Sequence, residues 1–137
     1  MMKLLSFLAI ALAFCAGAAA DDSNNSTATP QPLGGFHPAA VGPKNIEDLL
    51  RAMSRAENYH EDVKRPICIV QVKRVQVQVV SGVKYLFEAE GCPAAFDDAQ
   101  LGNCDDEKCP TPSKFELEVY VEPWTDTYKV ERIARLE

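Results

Sequence analysis

The chain has 137 residues, 47% of them hydrophobic, and a formal net charge of −6. That length is one domain's worth and leaves no room for a second sizeable core. The acidic balance argues against nucleic-acid binding as the main activity, because affinity for phosphates needs a basic field and the lysines and arginines here are scattered.

Residues 1–20 read as a targeting signal. Lys3 supplies the positive charge, Leu4 to Ala16 the apolar run, and Ala18-Ala19-Ala20 the small residues before Asp21. The apolar run falls short of the ~20 residues that span a bilayer. The signal is therefore expected to be removed, leaving a secreted, extracellular protein with no membrane association. Cys15 leaves with it. Cys68, Cys92, Cys104 and Cys109 remain, an even count suited to an oxidising compartment. Residues 21–32 are polar and aperiodic and are expected to form a flexible leader. Within them, Asn24 and Asn25 head overlapping glycosylation sequons, with space for one glycan. The main domain is expected over residues 33–137. At the junction stands Pro32-Leu33-Gly34-Gly35-Phe36, where a glycine pair after an apolar residue makes a hinge and permits close backbone approach to another surface.

Asn45 to about Asn58 is predicted as the single helix, capped by Asn45, with Glu47 and Asp48 in its first turn. Ile46, Leu49, Leu50 and Met53 form one apolar stripe that should lie across a sheet. A strand rich in Val and Ile follows from Ile67, with a change of phase near Lys73-Arg74 that predicts a β-bulge. Gln78-Val79-Val80-Ser81-Gly82 reads as a hairpin tip, with Gly82 allowing a positive φ at the reversal. Val83, Tyr85, Phe87 and Ala89 form one face of the outgoing strand. An acidic loop containing Pro and Cys runs from Gly91 to Ser113. A strand over Phe115 to Val121 follows, then a turn at Glu122-Pro123-Trp124-Thr125-Asp126 and a last strand from Thr127. Alternate connections of an antiparallel meander lie at the same end of the sheet. The Val79-Val80 tip and the Pro123-Trp124 turn should therefore emerge side by side as an apolar edge, of the kind enriched in binding hot spots.

These residues carry a resemblance. Gly34, Gln78-Val79-Val80-Ser81-Gly82 (a Gln-x-Val-x-Gly pattern) and Pro123-Trp124, in that order around one helix and a meander, resemble a secreted, type 2-like cystatin, an inhibitor of papain-like cysteine proteases. The resemblance implies an α+β fold in which an antiparallel meander sheet wraps around one α-helix. It also implies reversible, tight-binding inhibition of cathepsin-type endopeptidases, without enzymatic activity or cofactor. Pro32, Leu33 and Gly34 would form a trunk, Gln78, Val79, Val80, Ser81 and Gly82 a first loop, and Pro123 and Trp124 a second. All three would insert into the protease cleft. Ser81 and Glu122 depart from the family's usual residues. A monomer is expected, with strand exchange into a dimer as the alternative. A different reading keeps the fold as a non-inhibitory secreted carrier or host-defence protein.

An enzyme is disfavoured, because His37 and His60 are the only histidines and neither stands in a local nucleophile arrangement. The cysteines lack zinc-site spacing, and Asp97, Asp98, Asp105, Asp106 and Glu107 do not match a calcium loop, so no metal is expected. For the disulfides, a hairpin centred on Val80 would set Cys68 opposite Cys92, giving Cys68–Cys92 and Cys104–Cys109 as the expected pairs. The alternative is Cys92–Cys104, which resembles the family's loop bridge.

Overall fold

The computed structural model describes residues 35–136. The expected signal and leader, with Asn24 and Asn25, lie outside the described residues. The elements run β1 (His37–Ala39), α1 (Pro43–Met53), β2 (Ile67–Val79), β3 (Val83–Pro93), β4 (Gly102–Asn103), β5 (Ser113–Glu122) and β6 (Thr127–Leu136). The sheet order is β1-β2-β3-β5-β6, every neighbouring pair antiparallel, with the two-residue β4 running parallel to the start of β2. The expected α+β meander with one helix is the observed architecture. Among the described residues no helix is long and apolar enough to cross a membrane.

The helix begins two residues earlier and ends five residues sooner than the sequence suggested. Pro43 occupies the first turn, where its missing N–H costs nothing, and Gly42 is the N-cap. Asn45 acts from inside: its Oδ1 accepts the Gly42 N–H at 3.0 Å. The helix stops at Met53, and residues Ala56–Asn58 form a separate 3₁₀ turn. Leu49, Ala52 and Met53 are fully buried, whereas Ile46 and Leu50 are only half-buried at the edge of the stripe. They pack on the inner face of the sheet with Phe87 and Ala89 from β3, Leu117, Val119 and Val121 from β5, and Val130 from β6. The period-2 alternation seen in β3 and β5 is the burial pattern of those strands, because successive side chains point to opposite faces. The outer face carries charge, with Lys84 between Glu118 and Glu131 at 3.2 Å each and Arg132 on Glu116 at 2.6 Å.

One polar group lies in this core. Asp48 projects from the helix at 2% exposure, accepting the Tyr85 hydroxyl at 2.8 Å and the Lys44 ammonium at 2.6 Å. Burial, followed by the Asp48 carboxylate, raises the Tyr85 phenol above its ordinary 10.0. The hydrogen bond to Asp48 raises Lys44 above its ordinary 10.5.

The phase change in β2 is real and double. The register against β3 shifts between Ile69 and Gln71 and again between Val72 and Arg74. The hairpin is centred on Ser81 (Val79 opposite Val83), one residue later than expected, and the two shifts bring Cys68 opposite Cys92 all the same. These two cysteines are nevertheless not bonded to each other. The disulfides are Cys68–Cys104 and Cys92–Cys109, with Cα–Cα distances of 5.1 and 5.7 Å. They replace both the expected pairs Cys68–Cys92 and Cys104–Cys109 and the alternative Cys92–Cys104. The reason lies in the long loop, which folds back onto the sheet. β4 sets Gly102 beside Cys68, and the Cys104 N–H donates to the Ile69 carbonyl at 3.3 Å. Gly102 makes this possible at a φ of +88°, where an added Cβ would lie 2.8 Å from Cβ of Met53. A helical turn then closes with the Cys109 N–H on the Asp105 carbonyl at 3.2 Å, and Cys104 and Cys109 each reach a different strand cysteine. The acidic residues serve the loop's own turns, Asp98 accepting the Gln100 N–H and Asp105 the Lys108 N–H, both at 2.9 Å.

The bridges close sequence separations of 36 and 17 residues. Replacing Cys68 and Cys104 together by alanine should cost about 4 kcal/mol, and replacing Cys92 and Cys109 about 3 kcal/mol, by loop-closure entropy. Urea unfolding measures the cost, and non-reducing peptide mapping must link the Cys68 peptide to that of Cys104 and not to that of Cys92. Tyr85→Phe should cost about 1–3 kcal/mol at neutral pH, because it removes one donor from the buried Asp48. A group whose pKa is raised in the fold contributes stability that is complete below its unfolded value and is lost as pH rises through its folded value. Wild-type stability should therefore hold to about pH 9 and fall beyond the ordinary tyrosine range, more steeply than that of Tyr85→Phe. Equal slopes would remove Tyr85 as the cause.

Candidate functional site

β2 ends at Val79 and β3 begins at Val83, so Gln78 and Val79 belong to the strand and residues 80–82 make the reversal. The Val80 N–H donates to the Gly82 carbonyl at 3.0 Å. Val79 is 70% exposed and Val80 42%, far above what branched aliphatic residues normally show. Both valines therefore face solvent, and neither folds back onto the core. Gly82 is required for space and not for conformation. Gly102 is the one glycine with a positive φ among the described residues. A Cβ on Gly82 would collide with the Val121 carbonyl oxygen and stand 3.2 Å from both Tyr120 Cε2 and Glu122 Cβ.

The second loop is built on Pro123–Thr125, a single 3₁₀ turn between β5 and β6. It is closed by the Asp126 N–H on the Pro123 carbonyl at 3.0 Å, with Asp126 in the left-handed region at a φ of 53°. The Thr125 hydroxyl donates to the Glu122 carbonyl at 3.0 Å. This short rigid turn holds Trp124 outward at 68% exposure. The two loops are neighbours because β3 and β5 are paired up to Val83 opposite Val121, where each loop joins its strand. The expected apolar edge is present as geometry.

Two residues that looked like departures from the family pattern meet here. Tyr120 lies on the outer face of β5, its hydroxyl 3.1 Å from Ser81 Oγ and 2.6 Å from Glu122 Oε2. Alternation along the strand puts Tyr120 on the same face as Glu116 and Glu118 and says nothing of this contact. The signal that could have found it is an aromatic residue diagonal to a strand-edge glycine, a pairing that covers exposed glycine backbone.

Pro32, Leu33 and Gly34 lie outside the described residues. Gly35 and Phe36 are half-buried, and β1 sets His37 opposite Val77 on the edge of the sheet. Tyr85 is part of the core. His60 follows the 3₁₀ turn after α1, with Nδ1 3.3 Å from Asp62 Oδ2. Among the described residues no group of three or more His, Cys, Asp or Glu side chains could hold a metal ion.

No protein-family model matches the sequence. The chain is 31% identical over 130 residues to the cystatin-like cysteine protease inhibitor EPIC4 of Phytophthora infestans, a match covering 95% of this chain and 73% of the relative. Its fold is similar to that of a salivary cystatin from the soft tick Ornithodoros moubata, with a TM-score of 0.52 and 23% identity over 78% of this chain and 100% of the other. It is also similar to Mialostatin, a gut cystatin from the hard tick Ixodes ricinus, with a TM-score of 0.50 and 16% identity over 74% of this chain and 97% of the other. Identity of 31% across nearly the whole length, joined to a helix-and-meander fold shared with solved cystatins, makes this chain a member of the cystatin family.

Proposed function

We propose that this protein is a reversible, tight-binding inhibitor of papain-like cysteine endopeptidases of the cathepsin type. The observation that carries this reading is the exposure of Val79, Val80 and Trp124 together at one end of the sheet. Apolar side chains held in water gain about 1.5–3 kcal/mol each when fully buried. A concave, largely apolar substrate cleft is a surface that offers such burial. The Val79-Val80 tip enters the middle of the cleft, shaped by Gln78, Ser81 and Gly82, and Pro123-Trp124 packs on the primed side. The trunk, Pro32-Leu33-Gly34, occupies unprimed subsites. β1 runs antiparallel to β2 with His37 opposite Val77, so the N-terminal end of β1 lies toward the Val79 end of its partner strand.

Inhibition in this mode is a blockade and needs no covalent step. Strand pairing and the two short turns hold the loops before binding, which lowers the ordering cost that association otherwise meets. Affinities between nanomolar and picomolar, on the order of −12 to −16 kcal/mol, fit this arrangement. Residues 1–20 act as a secretion signal, residues 21–32 as a leader and residues 33–137 as the inhibitory domain, so the protein works outside the cell as a monomer.

Titration of papain with the mature chain is the direct test. Stoichiometric loss of activity is expected, and full activity at micromolar inhibitor would exclude the reading in favour of a non-inhibitory carrier. Val80→Asp should abolish inhibition while leaving thermal unfolding unchanged, because it sets an unpaired charge in an apolar groove. Removal of residues through Gly34 should weaken binding without abolishing it, chiefly by raising the dissociation rate. An unchanged dissociation rate for several target proteases would show that the trunk makes no contact.

A further inference from the structure

We propose that Tyr120 is a positioning residue that ties the two loops into one rigid wedge through a directed chain of hydrogen bonds from Ser81 to Glu122. This rests on the inhibitory reading above and goes beyond it, by assigning a role to three side chains outside the apolar contact set. Tyr120 projects from the outer face of β5, away from the core. Its hydroxyl lies 3.1 Å from Ser81 Oγ on the first loop and 2.6 Å from Glu122 Oε2, directly before Pro123 of the second.

Hydrogen accounting fixes the direction. An ionised carboxylate only accepts, so the Tyr120 O–H donates to Glu122 and its oxygen is left to accept the Ser81 O–H. The acceptor carries a charge, which makes the Tyr120–Glu122 bond the stronger of the two. Polarisation along the chain strengthens the exposed Ser81 bond in turn. A docked protease covering Ser81 would remove competing water and strengthen it again.

The tyrosine ring serves the same purpose by packing. It passes over Gly82, where an added Cβ would stand 3.2 Å from its Cε2 and from Glu122 Cβ. The Val121 carbonyl is what demands glycine at position 82, and the absent side chain also leaves the room in which the tyrosine ring lies. Strand pairing alone sets the spacing of the loop bases. The tether sets the angle of the Val79-Val80 tip relative to Trp124, which a hairpin end would otherwise vary by twisting.

The experiment is a double-mutant cycle on papain inhibition, using the mature chain and the variants Ser81→Ala, Glu122→Gln and Tyr120→Phe, each checked for unchanged thermal unfolding. Tyr120→Phe keeps the ring and removes both hydrogen bonds. It should raise the dissociation rate about tenfold with little change in association rate. Ser81→Ala and Glu122→Gln should be coupled in the wild-type background and additive in the Tyr120→Phe background, and Ser81→Thr, which keeps a hydroxyl, should restore wild-type dissociation. Time-resolved anisotropy of Trp124, the only tryptophan, reads the tether in the free protein and should show wider local motion in Tyr120→Phe. An inhibitory wild type whose Tyr120→Phe variant dissociates at the same rate, or whose Ser81 and Glu122 effects simply add, overturns the tether while leaving the inhibitor reading intact. A wild type that does not inhibit papain overturns that reading, and the anisotropy then decides the tether alone, with unchanged Trp124 motion counting against it.

Discussion

The pairing of β3 with β5 up to Val83 opposite Val121 is the constraint on which the functional end depends. An antiparallel ladder leaves little freedom in the separation of its strands, so whatever leaves the ends of β3 and β5 must leave side by side. The first loop ends where β3 begins and the second begins where β5 ends. Their spacing is therefore inherited from backbone hydrogen bonds and needs no contact between the valines and the tryptophan. The same two strands carry the core on their inner face. Phe87, Leu117, Val119 and Val121 are held under Leu49 and Met53 of the helix, and a change in that packing would be felt at the loops through the ladder.

The two ends of the sheet do different work. At one end three large apolar side chains stand in water, where they add nothing to folding. At the other, the acidic loop is drawn in by β4 and two disulfides, and Cys68, Cys104 and Cys109 form a small buried cluster of their own. Cross-links that constrain the unfolded chain stabilise a small domain without enlarging its core. The domain can thus keep this apolar edge exposed. Asp48 adds a different constraint, since a buried carboxylate must find donors and, among the described residues, Tyr85 and Lys44 supply them. That requirement fixes the rotation of the helix over β3 more narrowly than the apolar stripe could.

Periodicity made most of the fold legible before any coordinates. The burial of Phe115, Leu117, Val119 and Val121 is read directly from alternation, and the exposure of Trp124 follows from its place in a turn after Pro123. The unreadable parts depend on groups far apart in sequence. Cys68 was placed opposite Cys92 correctly, although the hairpin centre was one residue off and two register shifts were needed to restore the pairing. The bonding partners were then decided by a loop whose path rests on the φ of Gly102 and on two residues of β4, none of which has a periodic signature. The helix start was misjudged because Asn45 is a good capping residue in either of two positions. Pro43 at the first turn was the better guide. At the site, the motif residues could be named, but the link between Ser81 and Glu122 could not, because its Ser81–Tyr120 half joins residues 39 positions apart.

That link bears on how a contact surface of this kind keeps its shape. Hydrophobic side chains attract a cleft without much directional preference, so an edge of two valines and a tryptophan would tolerate many orientations of its loops. Each tolerated orientation is a state that binding must select against, at a cost in free energy. Polar groups discriminate more sharply, because a hydrogen bond weakens steeply with angle. Placing the polar set on the outer face of β5, behind the apolar edge and clear of the core, lets one strand serve three ends. Its inner side chains pack under the helix, its backbone spaces the loops, and its last outward tyrosine bonds to Ser81 of the first loop and to Glu122, the strand residue before the second. In the proposed inhibitor, affinity then resides in residues that make few polar contacts within the fold, and geometry in residues that contribute little apolar surface. In the proposed inhibitor, that separation lets Ser81 and Glu122 depart from the family's usual residues and still fit the arrangement.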